Sequence, residues 1–559
     1  MSNETGNYAK NNVIVQGSIL AISSLIVRMI GLIYRIPLAR IIGDDAYGYY
    51  STAFEFYSLA LLLSSYSLPL AVSKLVSARV TAGRHKDARR VLHVSLVFGF
   101  IVGAIMSLLV YFGADVYGRF NKTPMVAIPL RVLAPTIFVF SVMGVLRGYF
   151  QGFGNMAPTA QSQIIEQIVN AIVSVGAAMF MVKKYAGFND RDAYGAAGGT
   201  WGTFLGACAA ALTLAIIFLV TKQRYLQPVL EDKTKDRERY LTILKILLMT
   251  ALPVVISQTV YQLSGTIDVT VFNRTLNGKG IIEETRNTWW GIYSGKYKLL
   301  TNVPVAIASA MGTAVVPSLV AEVARRRMDV VKEKISTVIK FNMIIAFPCA
   351  FGFISIGGPI LRMLYGDGRE LSALMMQIGG IAVVFFALST VSNGILQGIN
   401  HMFLPVWHSL IALIIHCVAL GALLHFTEMN AIALVLCNVL FALIVCVLNA
   451  RSIRKLLGYE QEWKTTFIIP LVSAAVMGAF ANMCYGFIDW IAGNVMPGHP
   501  GIVNLIACIV SIGLAAFVYF AVLILLKGIS RKEIEEMPKG RALANILCKL
   551  RLLREETEN

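Results

Sequence analysis

Leu146-Arg147-Gly148-Tyr149-Phe150-Gln151-Gly152 closes one long apolar run, and Gly394-Ile395-Leu396-Gln397-Gly398 closes another. A proline follows each a few residues later, Pro158 and Pro405. The basic segment Ala78–Arg90 has a counterpart in Ala321–Lys334. These copies stand about 243 to 246 residues apart, a distance that spans six apolar stretches. An even number of crossings brings both copies into a membrane in the same sense, so they relate by an axis along the membrane normal. The repeat therefore predicts two six-helix bundles with a pseudo-twofold along that normal, enclosing a central cavity.

Outward from the repeat, the chain is an alternation of apolar runs and short polar connections. Of its 559 residues 57% are hydrophobic and 14% charged, where a soluble chain carries roughly 25% charged. A helical crossing needs about 20 apolar residues. Fourteen runs qualify: 13–37, 50–76, 90–112, 127–149, 160–182, 196–220, 242–272, 297–320, 337–361, 372–396, 404–425, 431–450, 466–488 and 503–526. The fold class is an all-α polytopic membrane protein of fourteen transmembrane helices. Its expected divisions are a first bundle (1–220), a basic linker (221–241), a second bundle (242–450), two appended C-terminal helices (451–526) and a basic tail (527–559). The first run is too long for a secretory signal and carries Arg28, so no cleavable leader is expected.

The net charge of +18 is distributed by topology. With the N-terminus inside, Arg79, Arg84, Lys86, Arg89 and Arg90 follow the second run, Lys222–Arg239 the sixth, and Arg325–Lys334 the eighth. Roughly 30 Lys and Arg then fall on the cytoplasmic side against roughly 11 outside, which orients the chain in its membrane with both termini cytoplasmic. This pattern points to anionic membrane lipid as a partner and away from nucleic acid. The eight cysteines lie almost all within runs and form no C-x-x-C pair, so they read as small buried hydrophobes.

A cation inside hydrocarbon costs roughly 2.5–3.5 kcal/mol or more, so such residues ordinarily face water and a task. Arg28 and Arg35 are two helical turns apart on one face and suit a doubly charged phosphate, although Arg35 could also snorkel to the interface. Arg147, Lys296 and Lys298 complete the candidate substrate-binding set, with Arg131 a weaker member. The buried acids Glu55, Glu166 and Asp268 are candidate counter-ions, or coupling sites for a proton or other monovalent cation. Ser257, Tyr261, Ser264 and Asp268 form one polar stripe down the seventh run. His408 and His416 read as polar core rather than metal ligands, and neither a metal nor a cofactor is called for. The chain has no G-x-x-x-x-G-K-[ST], H-E-x-x-H or G-x-S-x-G motif and no large loop, which argues against an enzyme and against ATP as energy source.

The run from Leu146 to Gly152, continued by Met156, Pro158-Thr159-Ala160, Ser162-Gln163 and Glu166-Gln167, resembles the stage V sporulation protein B and polysaccharide-biosynthesis branch of the MOP (MATE-like) exporter superfamily. Gly291-Ile292-Tyr293-Ser294-Gly295-Lys296, Asn302-Val303-Pro304 and Val316-Pro317-Ser318 are similar to the same branch at the eighth run. The resemblance covers essentially the whole chain. It implies a flippase for undecaprenyl-pyrophosphate-linked sugar precursors, an anionic lipid-linked oligosaccharide, with lipid II the leading cargo. In the related MurJ-type flippases, first-helix arginines match Arg28 and fall one residue from Arg35, and a cation near the start of helix eight falls near Lys298. Their helix-two arginine has no counterpart here, the nearest cation being Lys74. Their last two helices are thought to shelter the lipid tail. A cation-coupled multidrug antiporter of the same superfamily is the alternative, and it calls for a cavity lined by acids and aromatics.

Overall fold

The computed structural model describes residues 2–529 other than Lys235. Side chains within it are described except at 2–15, 17–18, 21, 253–254, 256–257, 260–261, 311, 313–315 and 317, so Ser257, Tyr261, Pro317 and the basic tail 530–559 lie outside the described residues. The regular structure is helical throughout these residues. Hydrocarbon offers no partner to a backbone amide, so apolar runs of this length close their hydrogen bonds within themselves.

The chain folds as two compact units, Met1–Gly295 and Lys296–Asn559. In the first unit the helices are α1 (Ser2–Leu61), α2 (Leu68–Thr81), α3 (His85–Phe120), α4 (Ala127–Gly152), α5 (Ala157–Lys184), α6 (Arg191–Val220), α7 (Lys222–Glu231), α8 (Tyr240–Gly278) and α9 (Glu283–Ile292). Gly43 breaks α1 into its two expected runs, with a φ of 82° that a side chain would resist. A π turn, Leu62–Tyr66, separates α1 from α2. A second π turn, Tyr293–Lys298, carries Lys296 and Lys298 and leads into the second unit's α10 (Leu299–Ala324). There follow α11 (Met328–Tyr365), α12 (Glu370–Gly379), α13 (Ala382–Gly398), α14 (Leu404–Phe426), α15 (Ala431–Leu457), α16 (Ile469–Val495) and α17 (Pro500–Leu525).

Among the described residues nine helices are long and apolar enough to cross a membrane. The number is ten if α12 and α13, bent by 43°, form one broken span. The two prolines after the repeated motif stand in the first turns of α5 and α14, where a missing amide hydrogen costs nothing. Two segments expected as loops hold short amphipathic helices instead. α7 buries Tyr225 and Val229, four residues apart, and α9 buries Arg286, Asn287 and Trp290. Span seven, expected with the second bundle, packs as α8 within the first unit, against α1, α2 and α3. A close approach makes this packing: a Cβ on Gly265 would lie 2.0 Å from the Glu55 carboxylate.

The repeated motif has the same packing role in each unit. Gly148 seats α4 on the carbonyl of Pro69, and Gly152 seats it on Val76 of α2. In the second unit Gly394 meets the carbonyl of Gly312, and Gly398 meets Leu319 of α10. The glycines recur at an offset of 246 residues and their partners at 243, so the two copies correspond contact by contact.

Candidate functional site

The first unit places Arg28 and Arg35 two turns apart on α1. Arg28 is exposed and, among the described residues, makes no ion pair. Arg35 is half-buried, and its guanidinium lies among the phenols of Tyr34, Tyr47 and Tyr50, with a hydrogen bond to Tyr34. Among the described residues no carboxylate pairs with it, and its Nε, shielded from solvent, has no hydrogen-bond partner. Tyr34 also accepts a hydrogen bond from Asn170 Nδ2 at 3.3 Å. Asn170 in turn accepts from Ser174, which is fixed to the Gly199 carbonyl as well. The tyrosines belong to an aromatic ladder, Tyr47, Tyr50, Phe54 and Tyr57, with neighbouring centroids 4.6–5.6 Å apart. Sequence reasoning on charges alone passed over Tyr34, Tyr47, Tyr50 and Asn170. The helical spacing of the ladder, which leads into the second run, was the available signal.

The other deep cations have protein partners. Arg147 donates through Nη2 to Glu166 at 2.8 Å and through Nε to Ser162 at 3.0 Å. Glu166 is thereby the counter-ion of Arg147, and Tyr57 lies close to it. Arg131 pairs with Asp115 in a half-exposed position. In the second unit Lys296, 5% exposed, donates to Asp367 and lies over the ring of Tyr365 at 5.8 Å. Ser372 also donates to Asp367 at 2.6 Å. Burial alone would raise the carboxyl of Asp367, in the connection after α11, but hydrogen bonds from Lys296 and Ser372 hold it below the usual carboxylate range. The sequence reading did not single out Asp367. Lys298 is half-buried in the same unit. In the first unit Glu55 packs on Gly265, three residues before Asp268, which is 2% exposed. The histidines pack as polar core, His408 against Asn449 at 2.7 Å and His416 against the Cys437 carbonyl at 2.8 Å.

The Gly291–Gly295 motif joins α9 to α1 inside the first unit. A Cβ on Gly291 would lie 2.0 Å from the Asp44 carbonyl, and one on Gly48 would lie 2.3 Å from that of Asn287. Ser294 donates to Ser51 at 2.8 Å across the same contact.

Residues 14–323, more than half of the chain, match the family model described as "Polysaccharide biosynthesis protein". The chain belongs to that family. A second model, MatE, matches residues 299–420. Stage V sporulation protein B of Bacillus subtilis (strain 168) is 23% identical over 93% of this family member and 96% of its own length. Lipid II flippase MurJ of the same organism is 24% identical, covering 86% and 89%. Among solved structures, an inward-facing multidrug resistance MATE family transporter of the MOP superfamily superposes with a TM-score of 0.63 over 78% of this chain and 99% of its own, at 16% identity. Lipid II flippase MurJ in an inward closed conformation gives 0.60 over 90% and 99%, at 14% identity. The chain is therefore a multi-span member of the polysaccharide biosynthesis family, with the fold shared by these MATE and MurJ structures.

Proposed function

We propose that this transporter moves undecaprenyl-pyrophosphate-linked sugar precursors, lipid II or a related polysaccharide intermediate, from the cytoplasmic to the outer leaflet of a bacterial cell membrane. It would do so by alternating access, with fourteen spans arranged as two six-helix bundles and two appended helices and with both termini cytoplasmic. The observation that carries the reading is the contrast among the deep cations. Arg147 and Lys296 are neutralised by Glu166 and Asp367, while Arg28 and Arg35 keep their charge on one face of α1 with no carboxylate partner among the described residues. A protein that bears the cost of an uncompensated guanidinium at depth gains by lending it to an anion, and the planar fork matches phosphate oxygens. We assign Arg28 and Arg35 to the pyrophosphate head, with the Tyr34, Tyr47 and Tyr50 hydroxyls positioning Arg35. Lys298, half-buried in the second unit, is assigned separately as a substrate-binding candidate of that unit. Arg147 and Lys296 are assigned to holding helices in place through their pairs, a narrower role than their charge alone suggested.

Replacing Arg28 and Arg35 together by glutamine removes two charge-assisted contacts, so translocation is expected to fall by roughly tenfold or more. Depletion of the chain from its cell should leave the cargo accumulating, and the precursor isolated from the cytoplasmic leaflet identifies the sugar. Wild-type transfer of labelled precursor by the double variant, at normal membrane abundance, removes the proposal.

The antiporter reading draws on the MatE match and on Glu55 and Asp268, which could couple transport to a monovalent cation. Efflux of cationic dyes from vesicles, lost on Asp268→Asn and unaffected by the arginine pair, would favour it.

A further inference from the structure

Two adjoining clefts lie at the end of the first unit where α3 begins and α4 and α6 finish. They share Arg89 and His93. One, of about 180 Å³, is lined chiefly by Leu92, Leu96, Leu146, Tyr149 and Phe218, with Lys222 at its edge in sequence where α7 starts. The other, of about 350 Å³, is lined by Lys86, Arg89, Arg90 and Arg237 together with Leu230 and Tyr240. Among the described residues, no aspartate or glutamate lines either cleft.

The carboxylates nearby are already engaged. Glu238 pairs with Arg79 and Arg84, Asp87 pairs with Arg84 and accepts from the Glu238 amide, and Asp232 accepts from the Lys86 amide at 2.8 Å. Arg90 is held by the Glu238 carbonyl and the ring of Tyr240, and Lys86 by the Asp232 carbonyl. Arg89 and Lys222 line the apolar hollow and Arg89 and Arg237 the basic cleft beside it; all three are exposed and, among the described residues, none makes an ion pair. α7 beside them is amphipathic. It buries Tyr225 and Val229 and leaves Leu230 78% exposed, the habit of a helix lying in the membrane interface.

We infer that these two clefts form one binding site for an anionic glycerophospholipid of the surrounding leaflet, its phosphate on Arg89, Lys222 and Arg237 and an acyl chain in the hollow between Leu96, Leu146 and Phe218. A free phosphate would leave the apolar cleft unused. An acidic protein segment would gain nothing from it either. A lipid satisfies both halves, and each interfacial Lys or Arg adds about fivefold to its retention. The site is independent of the cargo assigned above.

The test is native mass spectrometry of the full chain released from phosphatidylcholine nanodiscs with or without phosphatidylglycerol. Wild type is expected to retain phosphatidylglycerol in preference to phosphatidylcholine. Arg89→Gln, Lys222→Gln and Arg237→Gln together should weaken that retention on the order of a hundredfold. Leu96→Trp, which fills the hollow, should weaken it with all three cations present. Arg325→Gln, Arg326→Gln and Arg327→Gln, at a basic turn of the second unit, should not. Equal retention of the two lipids by wild type overturns the site whatever the variants do. Full displacement by glycerol 3-phosphate, or indifference to Leu96→Trp, would reduce it to a phosphate patch and overturn the lipid assignment. So would competition by poly-glutamate in the absence of any phosphatidylglycerol preference.

Discussion

Arg147 and Glu166 show what a deep charge costs once it is paired. Their side chains are 9% and 14% exposed, and Ser162 takes up the remaining guanidinium Nε. Removing one partner strands the other in a poorly solvated place, at about 3–5 kcal/mol, whereas removing both costs little. Glu166→Ala is therefore expected to lower the unfolding midpoint in detergent far more than the pair Arg147→Met with Glu166→Leu; equal losses would show that the bond is not what holds α4 to α5. Gly291 is constrained in a different way. A methyl there would meet the backbone carbonyl of Asp44, which cannot step aside as a side chain can. Gly291→Ala should cost about 3 kcal/mol, the upper end of overpacking, and the yield of monodisperse protein on size exclusion measures it. The charges of Arg28, Arg147 and Lys296 were legible in the sequence. Which of them is neutralised was not, because Glu166 and Asp367 lie 19 and 71 residues away from their partners along the chain.

At the scale of elements, the LRGYFQG and GILQG motifs mark helix-to-helix seats rather than ligand contacts. Their glycines let α4 ride on α2 and α13 ride on α10, and the identical spacing of the partners explains why the repeat is visible at all. The short helices α7 and α9 were hidden because ten residues give too few turns for an apolar period to stand out from a loop. α7 is tied to α3 through Asp232, the residue after α7, which caps the Lys86 amide and accepts from Thr234. These hydrogen bonds hold its carboxyl well below the usual carboxylate range. A carboxyl depressed by folding stabilises at every pH above its ordinary value and loses that contribution as acid protonates it. Protection of the α7 amides, measured against their intrinsic exchange rates, should accordingly hold at neutral pH and fall only in strong acid. Asp232→Asn should bring the faster exchange at neutral pH; unchanged protection in that variant would detach the tether from Asp232.

For the whole molecule, the appended helices α16 and α17 are part of the second unit's core. Tyr519 donates to the Ile344 carbonyl at 2.8 Å, Asn504 donates to that of Pro359 at 3.3 Å, and Gly478 lies against Phe351. A chain ending at Glu462 would uncover that face of α11, and its folded yield should collapse. Tyr519→Phe, which gives up one buried hydrogen bond, should cost only about 1 kcal/mol in the unfolding midpoint. A truncated chain that remained monodisperse would make the two helices an accessory.

Composition, the spacing of apolar runs and the 243–246 residue repeat by themselves determined that this is a helical membrane protein with duplicated packing motifs, since the bilayer dictates run length and glycine dictates close approach. Folding alone decided that α8 joins the first unit, that Arg35 sits among three tyrosines, and that Lys296 spends its charge on Asp367. Those outcomes depend on which side chains meet across helices, and a one-dimensional pattern carries the period of each helix but not the identity of its neighbour.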